Sequence, residues 1–130
     1  MKNFICKEIT TIDNEFVSRI IFSDKKDEGY IEGQTYEEIV DSLGEYVMLQ
    51  RSYGEDEFDQ DYSSVEFSDF EKSGTLEDFS IAISRKQFRM EYKGDVIDIG
   101  LALDDEATFL IIKEVLKKII NGKGSFVEME

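Results

Sequence analysis

The sequence predicts an α+β fold: an antiparallel sheet of about six strands, ending in a meander, packed against a helix that follows it, with one short additional helix. Three observations predict it. Apolar and polar residues alternate in three successive runs between positions 79 and 103. An amphipathic stretch over 104–121 follows at once, and a compact capped segment lies at 35–44.

Each element rests on its own residues. The runs 4–9 and 16–22 are rich in β-branched and aromatic side chains and read as strands joined by a polar turn around Asp13-Asn14. A charged loop at 25–29 precedes the segment 35–44. There Thr35 can cap a helix while Glu38 reaches back to the cap amide, and Gly44 suits a left-handed stop. Tyr36, Ile39, Val40 and Leu43 share one face of that helix. The run 46–51 follows as a strand, and one of two readings of 65–70 is a further strand whose Phe67 and Phe70 face the core.

In the second half, Phe79, Ile81 and Ile83 alternate with Ser80, Ala82 and Ser84. Phe88, Met90 and Tyr92 do the same with Gln87, Arg89 and Glu91, and Ile97, Ile99, Leu101 and Leu103 with Asp98, Gly100 and Ala102. A period of two with one apolar set is the mark of a half-buried strand. Short turns at Arg85-Lys86 and Lys93-Gly94-Asp95 make the three a meander. Over 104–121, Phe109, Ile112, Leu116 and Ile119 form a helical stripe, with Lys113, Glu114, Lys117 and Lys118 on the wet side. Acids at its start and lysines near its end complement the helix dipole, and Asn121-Gly122 ends it. The meander needs a cover for its apolar face, and this helix is the expected one.

The chain has 130 residues, which is one ordinary domain, and no repeat or composition break divides it. Thirty acidic residues against fifteen basic ones leave a net charge of −15. Such a surface repels phosphate backbones and anionic membranes and attracts basic partners. The competing explanation is that the charge serves solubility alone. Histidine is absent, removing the commonest general base and zinc ligand. Cys6 is the single cysteine and sits in an alternating apolar run, where a buried inert thiol is expected. No apolar run is long enough to cross a bilayer, and the start lacks a secretion signal, so a cytoplasmic protein is expected.

The densest chemistry lies over 53–78, which holds ten acids and one base, Lys72. The acids are interleaved with Tyr53, Phe58, Tyr62, Phe67 and Phe70. Solvating carboxylates do not need aromatic neighbours, whereas an interface uses rings for desolvated contact area. The candidate partner-binding residues are Glu55, Asp56, Glu57, Phe58, Asp59, Asp61 and Tyr62. Gln50 and Arg51 close a strand just before them and are the candidate loop-positioning pair, with Arg51 expected to bond a nearby carboxylate such as Asp59 or Asp61. Asp56, Asp59 and Asp61 are hard oxygen ligands, but the alternating ligands, central glycine and distal glutamate of an EF-hand are missing. The scattered glycines form no phosphate-binding loop. No catalytic residue, metal or cofactor is expected. The readings that stand are a module binding a basic protein and, from a different class, a metal-dependent or carboxylate-based enzyme.

The run Tyr46-Val47-Met48-Leu49-Gln50-Arg51-Ser52, the acidic segment closing on Asp59-Gln60-Asp61, and Ser73-Gly74 ahead of Ile81-Ala82-Ile83-Ser84-Arg85 resemble the immunity protein 10 family of bacterial polymorphic toxin systems. Thr75-Leu76-Glu77 stands where that family carries an aromatic-Gly-Gly step. The resemblance implies a small acidic cytoplasmic protein that binds a cognate toxin protein and blocks it. Toxin domains of the nuclease kind have basic clefts, which a carboxylate-rich loop could fill. Neither nucleic acid nor membrane is an expected partner.

Overall fold

A computed structural model describes residues 2–24, 45–53, 62–67 and 74–129. Ten strands and one helix are found among them. The strands are β1 (Lys2–Ile5), β2 (Glu8–Asp13), β3 (Val17–Ser23), β4 (Tyr46–Ser52), β5 (Tyr62–Phe67), β6 (Gly74–Thr75), β7 (Phe79–Ile83), β8 (Gln87–Tyr92), β9 (Asp95–Gly100) and β10 (Ser125–Glu128). The helix, α1, spans Glu106–Ile120. The expected class holds, but the expectation of about six strands in one sheet does not. The strands form two five-stranded sheets, ordered β2-β3-β4-β5-β6 and β1-β9-β8-β7-β10. The short helix expected over 35–44 falls outside the described residues.

The first sheet is antiparallel throughout. The second is built on the expected meander β7-β8-β9. Lys93 and Gly94 turn its second corner with φ of 50° and 83°, and Tyr92 faces Asp95 across them. Two successive positive φ values belong to the tight hairpin turn whose twist matches the strands. At the first corner the Ser84 Oγ accepts hydrogen bonds from the amides of Lys86 and Gln87. To this meander the chain adds β1 and β10, each parallel, one at each edge.

The run 4–9, expected as one strand, is split between the sheets. The Cys6 amide donates to the Gly100 carbonyl of the second sheet, and the Lys7 amide, one residue on, to the Ser23 carbonyl of the first, both at 2.8 Å. The apolar positions change parity here, from Phe4 and Cys6 to Ile9, all three packed on the core from their respective sheets. A strand cannot change the parity of its buried face without a break. The chain crosses back after β6, through Leu76 and Asp78, the latter in the left-handed region at φ 47°.

The two apolar faces meet. Ile20, Phe22, Val47, Leu49, Val65 and Phe67 from the first sheet share one core with Ile81, Ile83, Phe88, Met90, Ile97 and Ile99 from the second. The Phe22 and Phe88 rings lie 4.5 Å apart and Phe67 sits 5.9 Å from Tyr92, so aromatic pairs join the sheets. Helix α1 adds Phe109, Ile112, Val115, Leu116, Ile119 and Ile120.

Asp105 caps α1 by accepting from the Ala107 amide, and Asn121 ends it in the left-handed conformation, as the sequence suggests. Its placement differs from expectation. Its closest strand neighbours are β3 and β4 of the first sheet, not the meander. The second sheet reaches its other end, where Arg85 pairs with Glu106 at 3.5 Å and stacks over Phe109. An apolar stripe specifies burial but not which of two faces receives it.

Candidate functional site

Of the segment expected to contact a partner, the structure describes the flanking Tyr53 and, at its far end, Tyr62. Glu55, Asp56, Glu57, Phe58, Asp59 and Asp61 lie outside the described residues. What is described is the rim that holds both ends.

The rim is the end of the first sheet where β4 stops and β5 begins. Register pairs Val17 with Ser52 and Ser52 with Tyr62, so β3, β4 and β5 end side by side. Tyr62 is 51% exposed and shares a 3.0 Å hydrogen bond with the Thr75 hydroxyl on β6. The Tyr53 amide donates to the Phe16 carbonyl, and its hydroxyl lies 2.6 Å from the Ser18 Oγ. Ser18 is fully buried and donates to Asp13. Asp13 accepts a 2.6 Å bond from the Lys118 ammonium, tying the β2–β3 corner to the last turn of α1.

The two loop-positioning candidates point to opposite faces of β4. Arg51 is on the helix side. It donates to the Lys118 carbonyl at 2.9 Å and lies 4.7 Å from the centre of the Tyr53 ring. Across the pair, Ser63 donates to the next carbonyl, that of Ile119. Two side chains of neighbouring strands thus satisfy carbonyls that the helix end leaves without an intrahelical partner. Gln50, on the outer face, accepts from the Arg19 Nε at 2.6 Å and donates to the Ser52 hydroxyl. Arg51 therefore holds the helix terminus and the residue at which the acidic segment begins, while Gln50 braces the outer face.

Of the other acids in the run 53–78, three are described. Glu66 accepts from the Tyr46 hydroxyl on the outer face, four residues along β5 from Tyr62 and so ~13 Å away. Glu77 and Asp78 are exposed and follow Leu76, whose amide bonds the Ser63 carbonyl beside Tyr62. The aromatics divide. Phe67 is buried against Tyr92, the core role expected of it, whereas Tyr62 is half in solvent.

Sequence reasoning missed Phe16. Its parity with Ser18, Ile20 and Phe22 assigns it to the core, yet it is 63% exposed. The Asn14 side chain accepts from the amides of Phe16 and Val17 and holds the corner beyond the sheet end. An asparagine two residues before the ring was the available signal.

The electrostatics of the rim are local. The Lys118 ammonium, followed by the Ser18 hydroxyl, holds the Asp13 carboxyl below its ordinary value, and Asp13 in turn raises Lys118. At the sheet crossover, burial pushes the Cys6 thiol up, and its Sγ lies 3.1 Å from the Glu8 carbonyl. Among the described residues no three acids or sulfur ligands are grouped so as to hold a metal ion. No helix among them is long and apolar enough to cross a membrane.

Fold and rim together define a two-sheet α+β domain in which the ends of β4 and β5 are braced against the last turn of α1. No family model, curated protein or solved structure matches the chain.

Proposed function

We propose that this protein is an immunity protein, antitoxin-like in action, that binds a cognate bacterial toxin domain in the cytoplasm and neutralises it without catalysing a reaction. The single observation that carries the reading is the charge pattern: −9 of a net −15 lies within 53–78, interleaved with aromatic residues. A basic cleft shaped for phosphates, such as a nuclease has, is the complement of such a segment. The resemblance to the immunity protein 10 family supports the same reading.

The contact residues in this reading are Glu55, Asp56, Glu57, Phe58, Asp59, Asp61 and Tyr62. The braced rim supports them: with both strand ends fixed, less conformational entropy is lost when the partner docks. Arg51 and Gln50 act as positioning residues.

The test is co-purification with the product of the neighbouring gene, followed by calorimetry on the pure pair. Asp56→Asn, Glu57→Gln, Asp59→Asn and Asp61→Asn together are expected to abolish capture. Undiminished capture by that variant removes the site assignment, and no binding by the unaltered chain removes the function.

A further inference from the structure

The strand β10 is lightly held. Ser125, Val127 and Glu128 are exposed, and Phe126 alone packs on the core. Its backbone runs parallel to β7, with Phe126 opposite Ile81 and Val127 opposite Ala82, and the Met129 amide donates to the Ile83 carbonyl. A side-chain tie to α1 is the ion pair Lys113–Glu128, 3.1 Å long, with its glutamate half exposed. The chain reaches β10 from the helix through residues 121–124, where Asn121, Gly122 and Gly124 all have positive φ, 50°, 75° and 65°. This hinge is tight: a Cβ on Gly124 would stand 2.7 Å from the Phe79 carbonyl oxygen.

A short hinge in left-handed conformations beside a lightly buried strand favours exchange of that strand between identical chains. We infer that β10 is exchangeable, and that the β7 edge is an interaction surface whose occupant is β10 of a second copy of this chain. The complementarity is already given. An identical strand rebuilds the same ladder, the same Phe126 seat and the same Lys113–Glu128 pair, so only the hinge changes. Straightening it releases the left-handed turn. Opposing exchange is the charge of −15 on each copy, which salt screens, so the exchanged dimer grows with ionic strength.

Ala82 and Val127 are register partners on the open face. Neighbouring strands lie ~4.8 Å apart, within disulfide reach. In a Cys6→Ser background, Ala82→Cys with Val127→Cys reports the state after mild unfolding, refolding at graded concentration, and oxidation. An internal disulfide marks the closed monomer and a disulfide-linked dimer the exchanged form. The dimer-to-monomer ratio is expected to rise about tenfold for each tenfold rise in concentration while dimer is scarce. It rises further with salt, and falls several-fold when flexible residues inserted after Gly122 lengthen the hinge. Size-exclusion mass of the unaltered chain, refolded the same way, gives the same readout if the cysteine variant does not fold. Internal disulfides alone, with monomer alone from the unaltered chain at every concentration, overturn the inference, as does a dimer fraction indifferent to hinge length.

Discussion

Arg51 and Ser63 face each other across β4 and β5, and each donates to one of two consecutive carbonyls, Lys118 and Ile119, in the last turn of α1. A cross-strand pair thereby caps a helix. The same arginine stacks on Tyr53, so the helix end and the end of β4 are held together.

Ser63→Ala leaves the Ile119 carbonyl without its buried donor and is expected to cost about 1 kcal/mol. In a double-mutant cycle with Arg51→Ala the two should couple by at least about 0.5 kcal/mol, because both hold the same turn. Urea unfolding measures the cycle. Additive losses would show that the two act on separate structures.

Phe22 and Phe88 are fully buried with rings 4.5 Å apart, each from a different sheet. Phe22→Ala and Phe88→Ala should each destabilise by about 3–5 kcal/mol. A loss below ~1 kcal/mol at either site, measured by denaturant midpoint, would contradict the packing of the two sheets on one core.

The Asp13–Lys118 pair gives stability a defined pH window. The Asp13 carboxyl lies below its ordinary 3.8, so its contribution is complete above that value and is lost as pH falls through the folded-state pKa. Lys118 lies above its ordinary 10.5, so its contribution is complete below that value and is lost as pH rises through the folded-state pKa. The stability difference between the native chain and Asp13→Asn should therefore be flat between these values and shrink outside them. The side chains are 34% and 50% exposed, so the plateau is small and lower in high salt. A difference that peaked outside this range would refute the pairing.

Gly124 and Gly94 both have positive φ, but only at Gly124 does an added Cβ collide, with the Phe79 backbone and ring. Gly94→Ala should cost ~1 kcal/mol through backbone conformation alone. Gly124→Ala must add displacement of β7 or β10 and should cost more by ~1–3 kcal/mol. Equal losses in thermal unfolding would mean that the hinge does not close against Phe79.

Much of this fold is legible in the residues. Strict alternation places β7, β8 and β9 correctly because half-buried strands impose a period of two, and Asp105, Asn121 and the buried stripe give α1 its ends and its face. The split between β1 and β2 was written in the parity slip after Cys6, but a single run of apolar residues conceals it. β6 and β10 have two and four residues, too few for a period to emerge. The rim is only partly legible. Arg51 was expected to bond a carboxylate such as Asp59 or Asp61, which lie outside the described residues, and the bond that is described, to the Lys118 carbonyl, joins residues 67 apart in sequence. No local pattern encodes such a contact, and the exposed Phe16 follows the parity of a core residue.

The central claim is electrostatic capture of a basic partner by the acidic segment. Stopped-flow association with the toxin domain, at low and physiological salt, tests it most directly. The native chain should associate ~10–10³-fold faster at low salt than the variant with Asp56, Glu57, Asp59 and Asp61 neutralised, and the two rates should converge as salt rises. Equal rates for both proteins at every ionic strength would contradict the claim.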